Sequence, residues 1–453
     1  MVNRRSRERV NAPDTGGGKA QRAPDELLTL EIAASDDEGW GSAVVDGRLV
    51  KVKGVHVGER AQVRVVRHEG RTSIAALAHL EVALPGRAMP FCPHFGACGG
   101  CTMQHFAQTQ QVAIKQQRLL DLFAAQEVAV GRVAAPILGP DRGYRRKARL
   151  SARYTQKGQR LFLGFREAAG HVVADLETCP MLVPPFAAGI ASLRRTIEAT
   201  TLHATVPQVE IAAGDHGAAL VVRHLLPPTG SDLRALRRWC DQQDVVLWLQ
   251  PGGAETAHTV TLDAPQRLHY ADLDDDLHMT FHPLDFIQVN AAVNRRMIEL
   301  CIDALEPGTG RVLDLFCGIG NFTLPIARHA RAVVGVEGSP ALVQRANDNA
   351  RDNGIRSARF ICHDLHTHAR RILTLGKFDA IVLDPPRAGA AAVAALLPEL
   401  APALIIYFSC NPVTLASDAR VLGAAGYRVR ETRILDMFPN TAHVECCAVF
   451  ARD

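Results

Sequence analysis

The run Asp314-Leu315-Phe316-Cys317-Gly318-Ile319-Gly320-Asn321-Phe322 constrains the fold more than any other stretch of the 453 residues. An apolar, β-prone segment (Val312–Phe316) leads into it and a helical pattern leaves it. The glycines therefore sit at a strand-to-helix turn, where they let the backbone bend sharply and approach a ligand. Further apolar runs follow at Ala332–Glu337, Ala358–Cys362, Ala380–Leu383 and Ala403–Phe408, separated by helical patterns. That alternation predicts a parallel, doubly wound α/β sheet over residues 286–453, with ligands beyond the carboxyl ends of its strands. Tyr427–Phe450 adds two more strand-like runs.

The glycine pattern is shorter than the G-x-G-x-x-G of dinucleotide sites, and alone it is a weak signal. Its context strengthens it. Glu337 ends the next strand, 19 residues after Gly318, where a carboxylate can accept hydrogen bonds from both hydroxyls of a ribose. Asp364 follows the third strand, in position to meet an adenine. No basic partner for a phosphate stands at the helix start, which favours a ligand without pyrophosphate, such as S-adenosylmethionine. A tight turn with no ligand is the alternative. Asp384-Pro385-Pro386-Arg387 ends the fourth strand on the same predicted edge.

In Ile405-Ile406-Tyr407-Phe408-Ser409-Cys410-Asn411-Pro412 an apolar strand runs directly into a thiol. Asn411 can cap a helix and Pro412 suits its first position. Cys410 is thus placed near a helix N-terminus, which favours its thiolate. A lone cysteine there is more often structural; the cofactor loop and Asp384 on the same edge reverse that weighting. A thiolate suits the alkylation of a pyrimidine carbon: addition to carbon 6 of uracil makes carbon 5 nucleophilic, and a base must then remove the carbon 5 proton. Glu445 stands in the otherwise apolar run His443–Phe450. A carboxylate there is costly unless it faces a site, although an exposed edge position would serve equally.

Four of the 11 cysteines, Cys92, Cys98, Cys101 and Cys179, fall in a stretch rich in turn residues. Four thiolates can close a zinc site or hold a [4Fe–4S] cluster, and the spacing leaves both open. An odd, uneven cysteine count is no disulfide framework and fits a reducing compartment. In Tyr144–Arg153 the charges alternate with period two, placing Arg145, Lys147, Arg149 and Arg153 on one face of a strand. Such a face can meet several phosphates, or be merely solvated.

The net charge of +4 permits a nucleic-acid partner without demanding one. Charged residues at 22% and hydrophobic ones at 47% are an ordinary globular balance with material for a core. No run of about 18 apolar residues predicts a membrane span, no secretory apolar segment is present, and the cytoplasm is the default. Residues 1–24, with Arg4, Arg5, Arg7 and Arg9, read as a disordered basic tail. Residues 25–85 hold short strands and the hairpin signal Asp46-Gly47, and predict a small β-barrel. Residues 86–285 read as a central mixed α/β domain. An amphipathic helix over Gln110–Val130, within 104–136, is expected to pack on the catalytic domain.

Taken together, Asp285-Phe286-Ile287-Gln288-Val289-Asn290, the glycine loop, Leu383–Gly389, Ser409-Cys410-Asn411-Pro412, and Asp436-Met437-Phe438-Pro439 with His443-Val444-Glu445 resemble the RNA uracil-5 methyltransferase family, in its bacterial 23S rRNA branch with an iron–sulfur cluster. The resemblance runs from about residue 27 to the C-terminus. It implies a Rossmann-like methyltransferase domain. It implies that Gln288, Phe316, Asn321, Glu337, Asp364 and Asp384 contact S-adenosylmethionine, that Cys410 is the nucleophile, and that Glu445 accepts the proton. It tips the cysteine cluster towards [4Fe–4S] and the N-terminal barrel, with Gly39-Trp40-Gly41 and Lys51-Val52-Lys53-Gly54, towards an OB-like TRAM domain that binds RNA. The implied partner is 23S rRNA, with a monomer and no obligate protein partner expected. A transfer-RNA uracil-5 methyltransferase, a noncatalytic iron–sulfur RNA-binding protein and an amino-group methyltransferase are the competing readings.

Overall fold

The computed structural model describes residues 27–36, 38–167, 170, 172–261, 265–272, 277–305 and 308–452. The tail expected over residues 1–24 lies outside the described residues. Two compact units are present, one ending at Leu84 and one beginning at Pro85.

In the first unit the strands lie in the order Leu27–Glu31, Arg60–Glu69, Thr72–Val82, Arg48–Val52, Gly41–Val45 and Ala34–Ser35. Ala34–Ser35 continues Leu27–Glu31 after only two residues, so both ends of that order belong to one bent strand. The six strands form one sheet around a small core of its own. Leu30, Val50, Val52, Ala61 and Val63 fill it. The sequence missed the long strand Thr72–Val82, whose second half is largely solvent-exposed although it carries Leu77 and Val82.

The second unit holds two large sheets. One is mixed: His258–Thr259, Val246–Gln250, Ala218–Arg223, Gln208–Ala213, Lys147–Thr155 and Arg160–Gly164, in that order. The other has eight strands: Ala358–Cys362, Ala332–Glu337, Arg311–Leu315, Ala380–Leu383, Leu404–Ser409, Glu445–Arg452, Tyr427–Leu435 and Val130–Val133. Its first five strands are mutually parallel, and Glu445–Arg452 enters antiparallel beside Leu404–Ser409. Both faces are covered by buried apolar side chains. This explains why these strands read as continuous apolar runs and not as alternating ones.

The expected long helix is shorter than the sequence suggests. It spans Gln108–Ala125, and Val130–Val133 instead forms the last strand of the eight-stranded sheet, parallel to Tyr427–Leu435. Glu127 in the left-handed region (φ 57°) turns the chain after the helix. Gly131 permits the pairing, since a Cβ there would lie 2.8 Å from the carbonyl oxygen of Arg430. Val112, Leu119 and Phe123 bury the helix in the same core as Leu415, Ala419 and Leu422 of the helix Pro412–Ala424. Lys115, 2% exposed, forms an ion pair with Asp436, 0% exposed, at 2.8 Å. Burial pushes the Lys115 pKa down while Asp436 opposes it. Breaking such a pair from one side costs about 3–5 kcal/mol, because the other charge is left buried alone. No described helix is long and apolar enough to cross a membrane.

Candidate active site

Strand order reverses on either side of Arg311–Leu315, which lies between Ala332–Glu337 and Ala380–Leu383. Beyond the carboxyl ends of these strands opens a cavity of about 550 Å³. Gln288, Phe316, Asn321, Glu337, Asp364, Asp384, Cys410 and Glu445 all line it. Residues spread over 158 positions of sequence thus meet at one switch point.

One end of the cavity is built by the glycine loop. Phe316 and Gly320 both take positive φ, 66° and 95°. A Cβ on Gly320 would press to 3.1 Å from Leu324 and 3.2 Å from Phe360. Behind the loop, Phe322 stacks on Phe408 at 4.7 Å and ties it to the strand Leu404–Ser409 that leads into Cys410. Glu337 accepts hydrogen bonds from the backbone N–H of Gly318 (3.2 Å) and of Ser339 (2.9 Å), which fixes its carboxylate at the strand end. Asp364 is exposed on the rim and accepts from Thr367 Oγ1 and the N–H of His366, bonds that hold its carboxyl below the usual range. Asn321 is more committed than its motif suggests. Its Oδ1 accepts from Tyr270 and Asn294, and its Nδ2 donates to Asn294.

The other end is acidic and buried. Gln288 Nε2 donates to Asp384 Oδ2 at 3.1 Å. Burial pushes the Asp384 carboxyl up to about 7. Asp314, fully buried beneath the loop, is likewise pushed up to about 7 by burial, against a hydrogen bond from Thr323, with Asp384 adding to the rise. Glu445, 3% exposed, is driven well above the carboxylate range by burial and by Asp384. Cys410 follows its strand directly, and Asn411 caps the helix Pro412–Ala424 through Val413 N–H. The sequence led us to expect a stabilised thiolate there. The structure reverses this: burial, then Glu445 and Asp384, push the thiol up to about 12, and Arg387 opposes them only weakly. Burial, with acids brought in by tertiary structure adding to it, outweighs the helix terminus.

Sequence reasoning gave no role to Tyr270, Phe286, Arg387, Phe438 or His443, yet all line the cavity. Four of them sat inside motifs already noted; Tyr270, in the ribbon strand Leu268–Asp272, carried no signal. The His443 ring stands edge-on to Phe438 at 4.6 Å, and burial pushes its pKa down to about 4, so it is neutral at physiological pH. With Arg387 as the single Lys or Arg among the lining residues, the wall suits a cationic ligand.

Much of the basic strand turns inward. Arg146 is 4% exposed, lies over the Tyr270 ring at 4.4 Å, and donates from Nε to the carbonyl of Gln288. Lys147 donates to the carbonyls of Pro283 and Asp285. These two residues position the Gln288 segment. Arg149 and Arg153 remain exposed, Arg149 beside Glu210 at 2.9 Å.

Cys92, Cys98, Cys101 and Cys179 line a second, separate cavity of about 190 Å³, walled by Tyr144, Phe165, Leu176 and Met181. Burial and mutual proximity push the thiols of Cys98 and Cys101 up to about 11 and 12. A donor set of four thiols suits iron or zinc. Among the described residues no group of three or more His, Cys, Asp and Glu side chains is gathered to hold a single metal ion.

A family model described as tRNA (Uracil-5-)-methyltransferase matches residues 266–453. The chain is 43% identical over 444 residues to the 23S rRNA (uracil(1939)-C(5))-methyltransferase of Alkalilimnicola ehrlichii, covering 96% of this chain and 99% of that one. It is 39% identical to the protein of the same name from Hahella chejuensis, again over 96% and 99% of the two chains. Among solved structures, the Pyrococcus abyssi tRNA (uracil-54, C5)-methyltransferase in complex with S-adenosyl-L-homocysteine superposes with a TM-score of 0.71 at 22% identity, covering 93% of this chain and 99% of that one. At that identity the likeness establishes the fold.

The buried acids carry a testable sign. Asp384 titrates at about 7 in the folded protein against an ordinary 3.8. Between those values the folded state holds the extra proton, so this group subtracts stability as pH rises through the window. Asp384→Asn has no charge to bury and keeps an acceptor for Gln288. Its melting temperature relative to wild type should rise between pH 5 and pH 8. A difference that stays constant over that range would show that burial does not penalise this carboxylate.

Proposed function

The chain belongs to the RNA uracil-5 methyltransferase family, and from that membership we propose that it methylates carbon 5 of a uracil in 23S rRNA, with S-adenosylmethionine as donor. One observation carries the mechanism: Cys410, Glu445 and Asp384 share a single cavity with the glycine loop. S-adenosylmethionine, when bound, supplies the electrophilic methyl group as a sulfonium cation. Glu337 would accept hydrogen bonds from the ribose hydroxyls and Asp364 would meet the adenine. Phe316, Asn321, Gln288 and Asp384 complete the contacts. The wall of unpaired acids is complementary to the donor's positive charge, and that charge favours ionisation of the groups it meets.

Cys410 then loses its S–H proton to solvent, its sulfur forms a bond to uracil carbon 6, and the C5–C6 double-bond electrons move into an enolate. Carbon 5 would then take the methyl group as the donor's S–CH3 bond breaks, its electrons staying on sulfur, and S-adenosylhomocysteine is released. Glu445 removes the carbon 5 proton, the C5–C6 double bond re-forms, and the thiolate leaves. A carboxylate whose pKa is raised by burial is a stronger base than one in water. The target base must leave its stack to reach so enclosed a thiol.

Cys92, Cys98, Cys101 and Cys179 are read as the ligands of a [4Fe–4S] cluster. Support comes from the four thiols that line one cavity. The N-terminal unit is read as an OB-like TRAM domain that binds RNA, and Arg149 and Arg153 of the second unit are read separately as contacts to RNA phosphates. The protein is read as a monomer. Residues 86–285 serve as the cluster domain, and 286–453 as the methyltransferase domain.

Cys410→Ala should lower methylation by about 10³-fold or more while S-adenosylhomocysteine still binds; retained turnover would instead point to amino-group transfer. Glu445→Gln should trap a covalent RNA adduct, seen as a slow band on a denaturing gel. Normal turnover without that band would remove Glu445 as the base. Incubating the enzyme separately with 23S rRNA and tRNA, and mapping the product, should place 5-methyluridine in the ribosomal RNA alone. Protein purified without oxygen should hold about four irons with broad visible absorption; stoichiometric zinc would overturn the cluster.

A further inference from the structure

We propose that Thr102 is a positioning residue for the methylation site, because it fastens the loop that carries Phe438, His443 and Glu445 to the four-cysteine segment. The inference rests on the function proposed above.

Residues 436–444 connect the strands Tyr427–Leu435 and Glu445–Arg452. This loop forms one wall of the catalytic cavity, through Phe438 and His443, and delivers Glu445. Its fastenings come from a part of the chain about 300 positions earlier. The N–H groups of Thr102 and Met103 both donate to the carbonyl of Asn440, each at 2.9 Å. In return, the N–H of Ala442 donates to Thr102 Oγ1 at 2.9 Å. Asn440 is 2% exposed and held at positive φ (66°). Its N–H donates to Gln111 Oε1 at 2.7 Å, its Oδ1 accepts from Gln111 Nε2 at 3.1 Å, and its Nδ2 donates to the carbonyl of Asp141. Tyr144 OH donates to the carbonyl of Pro439, and Lys115 Nζ to that of Phe438.

Thr102 directly follows Cys101, and Tyr144 also lines the cysteine cavity. The two cavities are therefore built on the two sides of one hydrogen-bonded seam. The Thr102 hydroxyl stands one residue from a cluster ligand and receives the amide one residue before His443. Order in the cysteine segment thereby sets the placement of His443 and Glu445. No carboxylate or thiol need change its charge for this to operate.

Full-length protein purified without oxygen tests it. Thr102→Val keeps the shape and removes the acceptor; Thr102→Ser restores it. In the valine variant, hydrogen exchange at amides 442–445 should quicken about tenfold, the scale of one hydrogen bond lost. Amides of Leu404–Ser409 should stay unchanged. Turnover should fall about tenfold with S-adenosylhomocysteine affinity held within about twofold, and serine should recover both exchange and turnover. Gln111→Glu, which keeps an acceptor for the Asn440 amide but loses the donor contacts, should quicken the same amides. If neither variant changes their exchange, or if serine fails to restore what valine removes, the proposal is overturned. If wild-type protein methylates no uracil yet the exchange pattern shifts as described, the seam stands and the proposed function fails.

Discussion

Buried carboxylates in a cavity whose single lining Lys or Arg is Arg387 are the constraint around which this molecule is arranged. Asp314, Asp384 and Glu445 come from three strands of one sheet and converge at the same edge. Their bonded partners, Thr323 and Gln288, are neutral donors that orient them without cancelling charge. In a low dielectric each ionised acid raises the cost of ionising the next. Burial, with these acids adding to it, pushes the Cys410 thiol up as well. A thiol pushed up in this way is a poor target for stray oxidants and alkylating agents.

The surroundings keep this unfavourable arrangement in place. Arg146 and Lys147 spend their charge on backbone carbonyls around Gln288, fixing the segment that orients Asp384. The glycine loop is braced by the Phe322–Phe408 stack. Opposite it, the wall at 436–444 is fastened by side chains from 102 to 144. Each side of the cavity is rigid for a separate reason, as expected where preorganised groups must act on a base drawn out of its stack.

Parts of this were legible in the sequence because they are local. A glycine turn between a strand and a helix, a proline-rich strand end at Asp384, and a thiol ahead of Asn411-Pro412 each declare their place within a few residues. The sign of the field at Cys410 was not legible, since it depends on acids 26 positions before and 35 after. Local logic saw only the helix terminus. The inward turn of Lys147 was hidden likewise, because alternation shows which face a side chain takes and not what covers that face. Val130–Val133 was absorbed into the preceding helical pattern: four residues with a glycine among them carry too little signal against 18 residues of helix. Tyr270 was silent because an aromatic in a short ribbon looks the same whether it faces a core or a cavity.

That four-residue strand has a consequence for how the protein is made. Its partner in the sheet lies about 300 residues later, so a chain emerging from its amino end presents the apolar face of Gln108–Ala125 and an unpaired strand long before either has anything to dock on. The catalytic sheet cannot be sealed until nearly all of the polypeptide exists. Until then both Val130–Val133 and, later, Tyr427–Leu435 are open edges of the sort that recruit the wrong neighbour. Such widely separated pairing also slows folding, since the loop must close before the contacts reward it. The enzyme's most enclosed chemistry therefore depends on a closure that comes last.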